Sequence, residues 1–316
     1  MRNPRGENLV AVPAEEFARR YGFMAVMHRA DLLALLMREV DPARLHLDRE
    51  CVAIDPDERG VTAHFRNGET VRGAVLVGAD GLRSQVRTGL FGLHPPRYAG
   101  YTAWRAVASL GGDAAPAIQE TWERGRRFGI VPITGGRLYW FATRNTPEGE
   151  RDPAGAVKAG LLECFKGWHA PIEALIEATA ESSILRNDIY DLEPLPAWSR
   201  GRVTLLGDAA HPMTPNLGQG ACQAIEDAVV LAVCLKKAER PEDALAEYQR
   251  RRIPRARSIV IESRRIGALG QWEGRWTCAL RDRALRATPR ALMERSMIAV
   301  AAFPLLTDAE RLLLQP

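Results

Sequence analysis

The sequence predicts an α/β fold, because two short apolar runs each lead into a glycine and an aspartate. Residues 203–206 precede Gly207 and Asp208, and residues 74–77 precede Gly78 and, after one intervening residue, Asp80. Short apolar runs of this kind are typical of buried strands in a covered sheet. A carboxylate at the carboxyl end of such a strand is well placed to accept hydrogen bonds from a ligand.

Length and composition indicate a globular protein of two domains. The chain has 316 residues, 46% of them hydrophobic, and 43 basic against 39 acidic residues give a net charge of +4. This balance does not favour nucleic acid as a partner. No segment approaches ~18 uncharged apolar residues, so we expect no stable membrane insertion. The five scattered cysteines suit a reducing cytoplasm and predict neither disulfides nor a metal site.

In chain order, the first predicted element is a helix that begins at Asp31 and ends near Pro42. Arg29 precedes this helix and could bind an anion, although an exposed arginine without a ligand is the more common case. A β-meander follows over residues 45–71. Its predicted turns are at residues 55–57 and at 67–68, where Asn-Gly is a strong hairpin signal.

The next segment, residues 74–87, combines a buried strand with a turn. Gly81 and Ser84 lead from Asp80 into a short helical turn that contains Arg87. Taken alone, a capped turn without a ligand is the simpler interpretation.

Residues 98–189 have a different pattern, with alternating strands at 101–107, 128–133 and 137–142. A Thr-Gly-Gly turn joins the last two into an antiparallel hairpin. A helical segment is predicted over residues 156–180. Trp104, Arg105 and Tyr139 are candidate ligand contacts, but the sequence does not say which strand face points inward, and a place in the core explains them equally well.

The turn after Asp208 leads into an amphipathic helix. Gly218 and Gly220 flank Gln219 and allow the backbone to approach a ligand, while the helix N-terminus favours an anionic or electron-rich ring. An ordinary strand, loop and helix without a ligand is an equally good explanation of the residues alone. The basic tract at 245–257 is predicted to be a solvated helix face.

The segment GRVTLLGDAAHPMTPNLGQGACQAIEDAVVLA, residues 201–232, resembles the second FAD-contact motif of flavin-dependent aromatic-ring monooxygenases with the para-hydroxybenzoate hydroxylase fold. Within that family it is most similar to the branch of zeaxanthin epoxidase, salicylate hydroxylase and urate hydroxylase. The resemblance implies that Asp208 holds the ribityl chain of FAD and that Pro215 lies against the isoalloxazine ring. The turn from Gly218 to Gly220, through Gln219, would meet the pyrimidine edge of the ring, and Gly207 would belong to the same site.

Two further segments resemble this family. HRADLL, residues 28–33, implies that Arg29 reaches the cofactor. Residues 74–87 resemble its Asp-Gly motif, which implies cofactor roles for Asp80, Gly81 and Arg87, with Ser84 as a cap. Trp104, Arg105 and Tyr139 would line the substrate pocket.

The resemblance also implies a domain organisation. Residues 1–97 and 190–270 would form a discontinuous FAD-binding domain, residues 98–189 a substrate domain with an antiparallel sheet, and residues 271–316 a helical tail. The family's Gly-x-Gly-x-x-Gly loop does not occur in the sequence. We therefore expect an incomplete doubly wound fold and an N-terminally truncated form that lacks at least ~30 residues of a βαβ unit.

The implied function is an FAD-dependent, NAD(P)H-consuming monooxygenase. It would insert one oxygen atom of O2 into a small aromatic or otherwise electron-rich substrate, and no side chain is predicted as a catalytic base. One alternative is a non-catalytic relative that binds an aromatic ligand or a partner chain. Another is a halogenase or prenyl reductase of the same fold. The choice of NADH or NADPH and the oligomeric state stay open.

Overall fold

A computed structural model describes residues 1–11, 26–110, 118–301 and 305–313. The chain forms two compact units. The first unit contains Met1–Arg44, Gly100–Ile189 and Ala268–Ala302, and the second contains Leu45–Ala99, Tyr190–Gly267 and Phe303–Pro316. The described residues among the first 44 belong to the first unit in this division, whereas the sequence-based division grouped residues 1–97 together and stays a prediction.

The strands occur in three groups along the chain, separated by helices, and the last five α-helices follow the third group. The strands are β1 (Cys51–Asp57), β2 (Gly60–Phe65), β3 (Thr70–Gly73), β4 (Leu76–Gly78), β5 (Arg97–Ala108), β6 (Gln119–Trp122), β7 (Arg126–Ile133), β8 (Arg137–Asn145), β9 (Leu185–Asp191), β10 (Ser199–Arg200) and β11 (Val203–Leu205). The helices are α1 (Arg29–Met37), α2 (Gln85–Phe91), α3 (Val157–Cys164), α4 (Ile172–Ala178), α5 (Gly220–Lys237), α6 (Pro241–Gly270), α7 (Arg275–Ala287), α8 (Arg290–Ala301) and α9 (Asp308–Leu313).

The second unit contains two three-stranded sheets. One is the antiparallel meander β1-β2-β3, and the other has the order β10-β11-β4. In the latter, β11 runs parallel to β4, with Leu205 opposite Gly78, and antiparallel to β10. The parallel pair and the surrounding helices confirm the predicted α/β class.

The core of the second unit surrounds β11. Val203 and Leu205 are fully buried, and they belong to a cluster that also includes residues of α5 and α6. From α6, the Tyr248 hydroxyl donates a hydrogen bond to the Leu205 carbonyl at 3.1 Å. The strand that leads to Asp208 is therefore fully buried in this core, as its apolar sequence predicts.

The first unit is built on a five-stranded sheet of order β6-β7-β8-β5-β9. Helices α3 and α4 cover one face and replace the single helical segment predicted over residues 156–180. The buried cluster on this face includes Trp104. Because Trp104 pairs with Ala142 while Arg105 pairs with Phe141 and Val107 with Tyr139, Arg105 and Tyr139 lie on the opposite face. The three predicted pocket residues therefore do not share one face, and the role of each in a substrate pocket stays a prediction.

No helix in the described part of the chain is long and apolar enough to cross a membrane.

Candidate functional site

The carboxyl edge of the β4–β11 pair brings two predicted site residues to one side of the sheet. Asp80 follows β4, and Asp208 follows β11. The close approach of the strand to α2 depends on Gly78, since a Cβ atom there would lie 2.6 Å from the Val86 side chain. Both carboxylates thus occupy the position at which α/β sheets bind ligands, but their own partners differ.

Asp80 is bound to the backbone that follows it. One oxygen accepts a hydrogen bond from the Ser84 hydroxyl at 2.5 Å, and the other accepts from the amides of Gln85 and Val86 at 2.8 and 3.1 Å. Ser84 in turn accepts from the amide of Arg87 at 2.8 Å. The two side chains together cap the N-terminus of α2, so the carboxylate of Asp80 holds the loop in shape.

Arg87 connects this loop to the turn that contains Asp208. Its guanidinium is buried and donates to the carbonyl of Ala209 at 2.9 Å and to the carbonyl of Leu82 at 2.5 Å. Burial lowers the pKa of Arg87, although the negative charge of Asp80 acts in the opposite direction. The two loops at the sheet edge are therefore one hydrogen-bonded assembly.

Asp208 is presented to solvent. It lies in a single 3₁₀ turn, Gly207–Ala209, and among the described residues its carboxylate has no hydrogen-bond or ion-pair partner. The turn begins at Gly207 in the left-handed region, with φ of +61°, and a Cβ atom there would lie 3.2 Å from the Cβ of Ala224. The four acceptor positions of this exposed carboxylate are thus available to the hydroxyl groups of a ligand.

The glycine turn ahead of α5 leaves its backbone accessible. A 3₁₀ turn begins at the exposed Pro215, and Gly218 follows in the left-handed conformation with φ of +63°. Helix α5 then begins at Gly220, and the side chain of its N-cap residue, Gln219, makes no capping hydrogen bond in the described part of the chain. A Cβ atom at either glycine would meet nothing within 4 Å. The N-terminus of this 18-residue helix thus has no capping bond from Gln219, and its partial positive charge favours an anionic or electron-rich ligand.

A buried ionic cluster behind the Asp208 turn was not predicted from the sequence. It consists of His211, Asp227 of α5 and Arg252 of α6, none of them more than 3% exposed. The basic tract was expected to be a solvated face, and this is wrong for Arg252, which is bound to the Asp227 carboxylate at 2.7 Å. Burial raises the pKa of Asp227, but His211 and Arg252 outweigh it, so the net pKa lies below the usual range. The sequence signal was an acidic pair, residues 226 and 227, inside an apolar helix.

Arg29 is the first residue of α1 and is exposed. It belongs to the first unit, whereas Asp80 and Asp208 belong to the second. Its contact with a cofactor stays a prediction.

Comparisons with known proteins identify the class of protein to which this chain belongs. A family model described as FAD binding domain matches residues 14–263. The chain belongs to this family of FAD-dependent monooxygenases of the hydroxylase and epoxidase type. The cofactor of the family is FAD, and NAD(P)H is its typical co-substrate.

Three relatives illustrate the similarity. The chain is 46% identical over 287 residues to an aurachin C monooxygenase/isomerase of Stigmatella aurantiaca. The aligned region is 90% of this chain and 74% of the relative. It is 42% identical over 219 residues to the zeaxanthin epoxidase of Solanum lycopersicum. This aligned region is 67% of this chain and 32% of that protein. The structure of Klebsiella pneumoniae HpxO complexed with FAD and uric acid matches with a TM-score of 0.89 and 30% identity, over 96% of this chain and 80% of the other.

The residues at the sheet edge fit FAD. The Asp208 carboxylate lacks a protein partner among the described residues, and the free space at Gly218 and Gly220 is adjacent to an uncapped helix N-terminus. No group of three or more His, Cys, Asp or Glu side chains in the described ranges could hold a metal ion.

Proposed function

We propose that this chain holds FAD at Asp208, at the turn through Gly218, Gln219 and Gly220, and against Pro215, and that it inserts one oxygen atom of O2 into a small aromatic substrate. The observation that supports this most strongly is the exposed carboxylate of Asp208 at the end of a buried strand, without a protein partner among the described residues. A carboxylate in this position accepts hydrogen bonds from the ribityl hydroxyls. When bound, FAD supplies electron transfer from NAD(P)H and the activation of O2.

Asp80, Gly81 and Arg87 are proposed to shape the cofactor site. Both oxygens of Asp80 already accept hydrogen bonds from the chain, and Arg87 is buried between two carbonyls, so these residues act through the loop conformation. Gly81 has a φ of +78° and free space at its Cβ position, which allows a ligand to approach the backbone. We propose the exposed guanidinium of Arg29 as a further contact for an anionic part of FAD.

Arg105 and Tyr139 are the proposed substrate contacts. They share the sheet face opposite to α3 and α4, where the rings of Tyr139 and Phe141 lie 6.3 Å apart between centroids. Arg105 donates a hydrogen bond to the Asn187 side-chain oxygen at 2.8 Å. Burial raises the pKa of Tyr139, so its hydroxyl remains a hydrogen-bond donor at neutral pH. An aromatic ring with a polar substituent is the chemistry that this face would recognise.

The reaction is tested with the FAD-loaded full chain, NADH or NADPH, and ¹⁸O₂. Urate, 6-hydroxynicotinate and salicylate serve as aromatic probes, since similar proteins are named for them. The expected result is probe-stimulated NAD(P)H oxidation and a product that contains one ¹⁸O atom. The Asp208→Ala variant should lose this activity, whereas Asp55→Ala removes an exposed aspartate of the same unit and should retain it. A saturated or halogenated product without ¹⁸O would contradict the proposal.

A further inference from the structure

The ionic cluster of His211, Asp227 and Arg252 lies behind the turn that contains Asp208. One oxygen of Asp227 accepts hydrogen bonds from the Gly207 amide at 3.0 Å and from His211 Nε2 at 2.6 Å. The other oxygen accepts from Arg252 Nε at 2.7 Å. Because all of these donors belong to the chain and Asp227 is fully buried, the carboxylate is not available to a ligand.

The contacts of His211 fix the orientation of its ring beside Asp227. Its Nε2 donates to Asp227, while its Nδ1 is buried and has no hydrogen-bond partner in the described part of the chain. Because a carboxylate only accepts hydrogen bonds, the proton of the contact with Asp227 is on Nε2. The ring also packs against Trp198, with centroids 5.1 Å apart. His211 is therefore a fixed donor to Asp227.

Arg252 fixes Asp227 from the neighbouring helix. Besides Asp227, its guanidinium donates to the Glu226 carboxylate at 2.5 Å and to the Gln223 side-chain oxygen at 2.8 Å. The planar guanidinium of Arg252 thus donates to three side chains at once, which the single ammonium group of a lysine cannot reproduce. Helices α5 and α6 thus hold the carboxylate of Asp227 in one orientation.

We infer that Asp227, held by His211 and Arg252, is a positioning residue that sets the affinity for FAD through Gly207. The inference rests on the proposed contact between Asp208 and the cofactor. Gly207 immediately precedes Asp208 and adopts a left-handed conformation, so its amide hydrogen bond to Asp227 determines the direction in which the next side chain points. Loss of this bond allows the turn to rearrange. Binding of FAD then has to order the Asp208 carboxylate, and the entropic cost of this ordering lowers the affinity.

The test is a fluorescence titration of FAD into the full chain and a set of variants. Asp227→Asn replaces one acceptor by a donor, and His211→Leu removes the donor that faces it, so each should raise the dissociation constant about tenfold or more. His211→Gln should restore near-normal affinity because its amide N–H can replace Nε2–H. Val61→Ala provides the matched control: Val61 is buried in the core of the same unit and its truncation should lower the melting temperature without changing FAD affinity.

Hydrogen exchange gives a second measurement that does not need FAD. In the chain without cofactor, amides in residues 207–211 should exchange faster in Asp227→Asn and His211→Leu than in wild type. In Val61→Ala, the exchange rates of these amides should change no more than those of neighbouring segments.

The outcomes separate this inference from the proposed function. If Asp208→Ala weakens FAD binding but Asp227→Asn and His211→Leu do not, the positioning role is overturned and the proposed function stands. If Val61→Ala weakens binding as much as they do, the cluster acts through stability alone and the inference is overturned. If Asp208→Ala has no effect on FAD affinity, the proposed function fails and this inference fails with it.

Discussion

At the scale of single residues, two aspartates in similar sequence contexts have different surroundings. Asp80 and Asp208 each follow a strand of the same parallel pair. The carboxylate of Asp80 caps α2, whereas that of Asp208 is exposed and has no partner among the described residues. The difference arises from what comes next: Ser84 and the amides of a helix lie within reach of Asp80, while a 3₁₀ turn follows Asp208.

This difference predicts unequal stability effects of the two substitutions in the chain without FAD. Asp80→Ala removes a helix cap and should lower the free energy of unfolding by about 1 kcal/mol. Asp208→Ala removes an exposed side chain without a described partner and should change it by less than about 0.5 kcal/mol. Urea denaturation measures both. A loss for Asp208→Ala as large as that for Asp80→Ala would mean that Asp208 is a structural residue.

Gly129 shows the same residue-scale logic in the first unit. It lies opposite Phe141 on β7 and β8, and a Cβ atom there would be 2.0 Å from the Phe141 ring. Gly129→Ala should therefore displace this ring and lower the free energy of unfolding by about 1–3 kcal/mol.

A matched glycine provides the control for this prediction. Gly160 lies inside α3 with nothing within 4 Å of its Cβ position. Gly160→Ala should raise the free energy of unfolding by about 0.5–1 kcal/mol, since alanine is the better helix former. Equal changes for the two substitutions in urea denaturation would contradict the packing described at Gly129.

At the scale of elements, helix α9 is held in the second unit by Glu310. This carboxylate pairs with Arg251 at 2.9 Å and with Lys237 at 3.2 Å. The hydrogen bond from Arg251 is the largest cause that lowers the pKa of Glu310 from 4.5 to about 2.

The lowered pKa predicts a pH dependence of stability. The folded-state pKa is depressed, so the ion pairs contribute fully above the unfolded pKa of 4.5 and lose their contribution as pH falls toward 2. Glu310→Gln should therefore reduce stability at pH 6 more than at pH 3. Urea denaturation of wild type and Glu310→Gln between pH 3 and pH 6 measures how the stability loss depends on pH. This pH dependence should be smaller when both proteins also carry Arg251→Met. Parallel pH curves for wild type and Glu310→Gln would contradict the assignment.

Element type was more predictable from the sequence than the side chains each element buries. The Asn67-Gly68 turn is observed between β2 and β3, because its conformational requirement is local. The predicted turn at residues 55–57 is wrong: β1 continues to Asp57, and Pro56 is tolerated because β1 is an edge strand. The burial of Arg252 could not be read from its helix, since its partner Asp227 is 25 residues away on another helix.

At the scale of the whole molecule, FAD binding should be linked to folding. A ligand that binds only the folded chain raises its free energy of unfolding by about 2.7 kcal/mol at a concentration of 100 times the dissociation constant. We expect a corresponding rise in the melting temperature of the wild-type chain, and little or none for Asp208→Ala at the same FAD concentration. A scan by differential calorimetry with and without FAD measures this, and equal shifts for both proteins would place the cofactor elsewhere.

The site at the β4–β11 edge is tested most directly by the visible spectrum of the full chain after incubation with excess FAD and removal of free cofactor. The wild-type chain and Asp55→Ala should retain flavin absorption with quenched fluorescence, and Asp208→Ala should lose most of it. A wild-type chain that retains no flavin, or an Asp208→Ala chain that retains as much as wild type, would contradict the assignment of this edge as the FAD site.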